Sequence, residues 1–134
     1  MEVQRRLLNR EGEEVSGLRQ GQEVTVQLTL RAVEGAQDHM AIIDLLPGGF
    51  EVLRDSVAVD RRWMDYVDVR EDRLVFYGRL ERRARILTYR AKATAAGSFV
   101  LPALYAESMY DPQVYAAGVP GRVEVSQHAA SGEP

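Results

Sequence analysis

The sequence predicts an all-β protein, built as an antiparallel β-sandwich of about seven to nine short strands. Two observations predict this class: several segments alternate apolar and polar residues, and turn signals separate them. A third is that no segment shows a convincing helical spacing of apolar residues. With 134 residues, the chain is long enough for the core of one sandwich. We expect one domain over residues 1–127 and a frayed polar tail over residues 128–134.

The N-terminal quarter of the chain predicts two strands separated by turns. Residues 3–10 mix apolar and basic side chains before a Glu-Gly-Glu turn, which predicts an edge strand. Residues 17–21 begin and end with glycine and predict a second turn. Residues 23–33 then alternate with period two, which predicts a strand with one buried face. The residues predicted to form that face are Val24, Val26, Leu28, Leu30 and Ala32.

The middle of the chain predicts two more extended segments and one irregular connection. After a polar loop at residues 34–38, residues 40–46 form an apolar run broken by Asp44, which is typical of a buried strand. A Pro-Gly-Gly turn ends this run, and residues 50–53 resume the extended pattern. Residues 55–72 are charged and irregular, so we expect a long connection that contains a short helix or strand at most.

The C-terminal half predicts short strands again. Residues 74–77 are predicted to form a strand, and residues 80–83 are predicted to form a charged turn. Residues 85–96 alternate, which predicts a long strand with one buried face. The residues predicted to face the core are Leu87, Tyr89, Ala91 and Ala93. Residues 98–101 form a short apolar segment, and residues 119–125 form a last strand with two valines on one face.

Composition and charge argue against several classes of function. The chain has no cysteine, which excludes thiol catalysis and cysteine-ligated metals. Its net charge of −3 offers no general attraction for nucleic acid, so we expect no such partner. No segment reaches the roughly 18 apolar residues of a membrane span, and we expect no membrane insertion. Residues 1–17 lack the apolar run of a signal peptide, so export would depend on an upstream segment.

The sequence nominates no catalytic or metal-binding residues. His39 and His128 stand alone, and the carboxylates are scattered rather than paired. Neither a nucleophile elbow nor a glycine-rich phosphate loop is present. The basic cluster at residues 79–85 is interpreted as a solvated hairpin tip rather than an anion site. We therefore expect no enzymatic activity, no cofactor and no metal.

Residues 105–112, YAESMYDP, are unusual for a solvent loop because they combine one Met and two Tyr with acidic neighbours. Tyr and Met are common in interface patches, since they contribute apolar area at a modest ordering cost. Pro112 stops extended pairing because it lacks a backbone N–H. These side chains therefore either cap the core or cover a partner surface, and composition leaves both alternatives open.

Three stretches carry a resemblance to a known family. Residues 41–51 read AIIDLLPGGFE, and residues 71–76 read EDRLVF. Residues 89–112 begin with YRAKAT, continue through GSF and Pro102, and end in AESMYDP. In order and spacing they are similar to the last macroglobulin-like domain of the bacterial alpha-2-macroglobulins, over nearly the whole chain. The resemblance implies a macroglobulin- and immunoglobulin-like sandwich that is one part of a much longer polypeptide.

The resemblance also implies a function. Members of this family are large periplasmic proteins that trap proteases after cleavage of a bait region, and an internal thioester captures the attacker. The implied partners are neighbouring domains, above all the thioester domain, and proteases that meet the parent protein. Periplasmic location follows, with lipid anchoring or membrane association of the parent left open.

The resemblance assigns roles to residues near the C-terminus. In thioester-bearing members a Met-Tyr pair covers the thioester before activation, and that pair matches Met109 and Tyr110. In a branch without a thioester, the same pair would form only an interdomain contact. The flanking contacts would be Tyr105, Glu107, Asp111 and Pro112. The alternative from another class is an immunoglobulin-like extracytoplasmic module that binds a carbohydrate or protein through Tyr105, Tyr110 and Tyr115.

Overall fold

The computed structural model describes residues 1–127, which form twelve strands and one 3₁₀ turn. The 3₁₀ turn spans Arg54–Ser56. The strands are β1 (Glu2–Leu8), β2 (Gly17–Arg19), β3 (Glu23–Arg31), β4 (Gln37–Leu45), β5 (Phe50–Val52), β6 (Met64–Val69), β7 (Arg73–Leu80), β8 (Arg85–Ala93), β9 (Gly97–Leu101), β10 (Tyr105–Ser108), β11 (Tyr115–Ala117) and β12 (Gly121–Ser126). The predicted all-β class is confirmed, with more strands than predicted. The tail predicted at residues 128–134 lies outside the described residues.

The strands assemble into three sheets. One sheet has the order β1-β3-β8-β5, the second β11-β10-β4-β7-β6, and the small third sheet β2-β12-β9. Within the described residues the strand pairs are antiparallel, except that β2 and β12 pair in parallel. The two larger sheets contribute side chains to one shared core, as predicted for an antiparallel sandwich.

The core is built from the faces that the alternation predicts. On β3 and β8 every residue predicted to face inward is buried, and Leu28 on β3 is fully buried opposite Leu87 on β8. The facing sheet adds Met40 and Ile42 from β4 and Phe76 from β7, all at most 1% exposed. Burial of this apolar surface is the main contribution to the stability of the fold.

Short strands that pair with distant segments differ from the prediction. The turn predicted at residues 17–21 begins with strand β2, because Leu18 pairs with Val125 more than one hundred positions later. The predicted loop at residues 105–112 begins with strand β10, which pairs with β4. Strand β11 was not predicted at all. Local sequence cannot show these strands, because their partners define them.

Two other predictions need smaller changes. The irregular segment at residues 55–72 contains both short elements that were considered, namely the end of the 3₁₀ turn and strand β6. The charged turn predicted at residues 80–83 begins after Leu80, which is buried at the end of β7. Leu80 faces the core because β7 continues its period-two pattern to that point.

Asp44 on β4 is a buried carboxylate that links the two larger sheets. It accepts hydrogen bonds from the Arg5 guanidinium on β1 and from the Tyr89 hydroxyl on β8. Arg5 also donates to the carbonyl of Pro102. Burial raises the pKa of Asp44, against the opposing effects of Arg5 and Tyr89. Burial, followed by the charge of Asp44, raises the pKa of Tyr89 well above its usual value.

Gly78 on β7 allows three strands to approach one another closely. It pairs with Met40 on β4 and with Met64 on β6, at the points where both pairings shift register. A methyl group at this position would overlap the carbonyl oxygen of Trp63 and lie 2.9 Å from the Cα of Met64. Because these are backbone atoms, they cannot move aside without displacing β6.

We therefore expect Gly78→Ala to lower the free energy of unfolding by about 1–3 kcal/mol through overpacking. Gly121→Ala is the matched control, since a methyl group there meets no atom within 4 Å. Urea denaturation of both variants measures the effect. Equal stability of the two variants would contradict the close approach at Gly78.

Candidate functional site

The candidate site lies at the end of the hairpin formed by β10 and β11. Glu107 pairs with Tyr115 in this hairpin, and the preceding residue of β10, Ala106, faces the core and is fully buried. β10 also pairs with β4, where Ser108 lies opposite Met40. The connecting residues 109–114 are therefore anchored on both sides by strands of the five-stranded sheet.

Polar groups of the loop close it tightly. The Ser108 hydroxyl oxygen accepts hydrogen bonds from the backbone N–H groups of Tyr110 (3.3 Å) and Asp111 (3.1 Å). The Ser108 N–H donates to the carbonyl of Val114 at 2.9 Å. The Asp111 carboxylate accepts from the N–H of Gln113 at 3.1 Å, as Asp side chains commonly do in turns. The loop thus holds a defined conformation without a partner.

Met109 and Tyr110 project from this loop into solvent. Met109 is 49% exposed and Tyr110 is 74% exposed. The core beneath the hairpin is filled by Leu104 and Ala106 instead, which are at most 1% exposed. Met109 and Tyr110 therefore do not cap the core. Capping the core was one of the two alternatives that composition left open. Exposed apolar side chains on a fixed loop are a feature of docking surfaces.

His39 on β4 contacts both members of this pair. Its carbonyl oxygen accepts the Met109 N–H at 2.9 Å. Its imidazole lies edge-on to the Tyr110 ring, with the ring centroids 5.0 Å apart and the planes at 74°. Edge-to-face contacts of this kind are favourable for aromatic rings. In the sequence His39 stands alone, and no local signal indicated this contact.

The predicted flanking residues separate into two groups. Asp111 and Pro112 lie in the loop and are exposed. Tyr105 and Glu107 are half-buried on β10, and the Tyr105 ring stacks on Tyr115 with centroids 6.3 Å apart. Partial burial, and then the neighbouring Glu107 carboxylate, raise the pKa of the Tyr105 phenol.

The three tyrosines of the alternative, a module that binds a carbohydrate or protein, do not form one stacked group. Tyr105 stacks on Tyr115 across the hairpin, whereas the ring of Tyr110 contacts His39. Sugar-binding platforms use aromatic faces that are free to stack on the ligand, and the Tyr105 ring is already partly covered by Tyr115. This geometry gives the carbohydrate alternative no specific support.

The basic cluster at residues 79–85 is engaged in local contacts. Arg79 forms ion pairs with Asp38 at 2.8 Å and with Glu81 at 3.2 Å. Arg82 donates to the carbonyl of Glu34 at 3.2 Å. These contacts agree with the interpretation of a solvated hairpin tip. Over residues 1–127 there is no group of three or more acidic or histidine side chains placed to hold a metal ion.

Comparison with known proteins places this chain in a family. The family model described as Bacterial Alpha-2-macroglobulin MG10 domain matches residues 1–113. The chain belongs to the bacterial alpha-2-macroglobulin family. It is 34% identical over 135 residues to an alpha-2-macroglobulin of Rickettsia conorii, covering 93% of this chain and 7% of the relative. It is 33% identical over 146 residues to a homologue of Yersinia pestis, covering 89% and 7%.

Solved structures agree with this family assignment. Native alpha-2-macroglobulin of Escherichia coli, spanning domain MG7 to the C-terminus, superimposes with a TM-score of 0.82 at 26% identity. That match covers 93% of this chain and 23% of the other. Salmonella alpha-2-macroglobulin reacted with methylamine superimposes with a TM-score of 0.80 at 29% identity, covering 92% and 9%. The chain therefore spans a small part of the length of its relatives.

Proposed function

We propose that this MG10 domain is a non-catalytic part of a larger periplasmic protease-trapping alpha-2-macroglobulin, in which Met109 and Tyr110 shield the thioester of a neighbouring domain. The observation that carries the proposal is the exposure of both side chains on a loop that hydrogen bonds hold in place. An exposed apolar pair on a fixed support is suited to covering a small surface on a partner.

The length of the relatives supports a larger parent protein. The chain covers 7% of the Rickettsia and Yersinia proteins, and 9% of the Salmonella structure. In a parent of that size, the neighbouring domains would be the first partners of this domain, and proteases would be partners of the whole. An immunoblot with antibody to this domain gives a direct check, because the proposal requires a band far larger than 15.0 kDa.

The chemistry of a thioester explains why it would need a cover. A thioester in contact with water hydrolyses, so an apolar lid that excludes water preserves it until the domains move apart. Met fills irregular gaps, and Tyr combines an apolar ring with a hydroxyl that stays hydrogen-bonded at the edge of an interface. The Salmonella relative reacted with methylamine, and an Escherichia coli relative was activated by trypsin. We extend that chemistry to the parent of this chain.

The test is the double variant Met109→Ala/Tyr110→Ala in the larger protein. We expect it to lose its thioester to water or methylamine at least about tenfold faster, which corresponds to about 1.4 kcal/mol of barrier. Mass spectrometry of methylamine incorporation over time measures the rate.

Tyr115→Ala is the matched control, because Tyr115 is 60% exposed on β11 but lies outside the loop. It should leave the rate unchanged. If the double variant reacts no faster than the control, Met109 and Tyr110 do not shield the thioester. The absence of a reactive thioester from the parent would leave them as an interdomain contact only.

A further inference from the structure

His39 has a backbone conformation that side chains rarely adopt. Its φ angle is +56°, and among residues 1–127 no other residue except glycine has a positive φ. A residue other than glycine in this left-handed region costs conformational energy, and such residues cluster at functional sites. The positive φ of His39 therefore marks it as a candidate functional residue.

The strained residue lies in a β-bulge. The pairing of β4 with β7 shifts register between Gln37 and Met40, so the chain there does not follow the regular ladder. β-bulges redirect side chains and free backbone groups from strand pairing. Here the carbonyl of His39 receives the Met109 N–H, and its ring meets the Tyr110 ring. One residue of β4 thus contacts the backbone of Met109 and the side chain of Tyr110.

These two contacts complement those inside the loop. The Ser108 hydroxyl fixes the loop backbone at Tyr110 and Asp111 through hydrogen bonds to their N–H groups. The His39 imidazole is the neighbouring ring that the Tyr110 ring packs against, although that ring is 74% exposed. A ring held in advance loses less conformational freedom when a partner docks on it.

We propose that His39 is a positioning residue, which holds the Met109–Tyr110 pair in its docking conformation before the partner domain arrives. The inference rests on the proposed function for its consequence, but the positioning itself is a property of this chain alone. The bulge supplies the strained backbone that directs His39 toward the loop. The imidazole then orients the Tyr110 ring, and the carbonyl holds Met109.

Three variants separate the ring from the backbone. His39→Asn removes the ring and keeps a residue that tolerates positive φ, so the carbonyl should stay in place. His39→Gly removes the ring and relieves the strain. His39→Phe restores an aromatic edge near Tyr110. Because His39 lies at the surface and Asn and Gly both tolerate positive φ, His39→Asn and His39→Gly should keep the melting temperature within a few degrees of that of the unchanged chain.

The first readout is NMR spectroscopy of the 134-residue chain. With His39 present, the Tyr110 ring protons should show ring-current shifts from the imidazole, and the Met109 amide should be protected from exchange. In His39→Asn and His39→Gly the Tyr110 ring signals should move toward random-coil positions, and in His39→Phe a ring-current shift should return. Unchanged Tyr110 signals in His39→Asn would overturn the proposal.

The second readout is thioester loss in the larger protein. We expect His39→Asn to accelerate it several-fold, but less than the Met109→Ala/Tyr110→Ala double variant, with His39→Phe close to the unchanged protein. Acceleration by the double variant without any effect of His39→Asn would overturn the positioning role and leave shielding intact. No acceleration by the double variant, with the NMR changes present, would overturn shielding and leave the positioning role.

Discussion

Arg5→Met is expected to lower the free energy of unfolding by about 3–5 kcal/mol, because it leaves a buried carboxylate without its cation. Asp44 is 1% exposed and the Arg5 side chain is 6% exposed, so water cannot replace the lost contact. Met has a similar length and fills much of the space of the arginine stem. The loss of stability therefore arises more from the unpaired charge of Asp44 than from a cavity. Chemical denaturation at neutral pH measures this loss.

An exposed ion pair provides the control for this effect. Arg31 and Glu2 are joined at 2.6 Å, but their side chains are 41% and 62% exposed. Exposed pairs contribute about 0–1 kcal/mol to stability, so Arg31→Met should change the free energy of unfolding little. The double variant Arg5→Met/Asp44→Leu should be more stable than Arg5→Met alone, since it leaves no buried charge. If Arg5→Met and Arg31→Met cost the same, the buried pair has no special role in stability.

The amount by which Arg5→Met lowers the free energy of unfolding should depend on pH. In the folded chain, burial raises the pKa of Asp44, while the charge and hydrogen bonds of Arg5 lower it. Without Arg5 that pKa rises further above the unfolded value of about 3.9. A carboxyl with a raised folded pKa favours folding when protonated, and this advantage is lost as the pH rises through the folded pKa. The difference in free energy of unfolding between Arg5→Met and the unchanged chain should therefore become smaller as the pH falls.

The alternating strands were predictable because their signal is local. β3 and β8 bury the residues that period two predicts, since both strands lie inside their sheet, β3 between β1 and β8, and β8 between β3 and the short strand β5. Asp44 was different, because in sequence it only interrupts an apolar run. Its role depends on Arg5, 39 positions away, and on Tyr89, 45 positions away. Such contacts follow from the folded topology and leave no local pattern.

The candidate site also combines a feature that has a local sequence signal with one that depends on the folded topology. Met109 and Tyr110 were found because the motif around them resembles that of a family, and the structure places both on the surface. His39 was missed because its contact with them needs a β-bulge, a positive φ and the pairing of β4 with β10. An isolated histidine carries none of this information. Sequence reasoning thus nominated the pair but not its contacts with His39.

A contrast between Leu28 and Tyr110 tests which side chains belong to the core. Leu28 is fully buried in β3, between Leu87 on β8 and Arg5 on β1. Leu28→Ala should lower the free energy of unfolding by about 2–5 kcal/mol, through lost burial and the cavity left behind. Tyr110→Ala should change the free energy of unfolding by no more than about 0.5 kcal/mol, because the 74% exposed ring adds little to the core.

Gln27→Ala is the matched control for Leu28→Ala, since the neighbouring residue points to the other face of β3. It should cost far less than Leu28→Ala in the same urea titration, with a similar slope for all three variants. A large loss for Tyr110→Ala would mean that its ring stabilises the isolated domain. The exposed pair would then be a structural element of the hairpin, and its availability for docking would no longer follow from the fold.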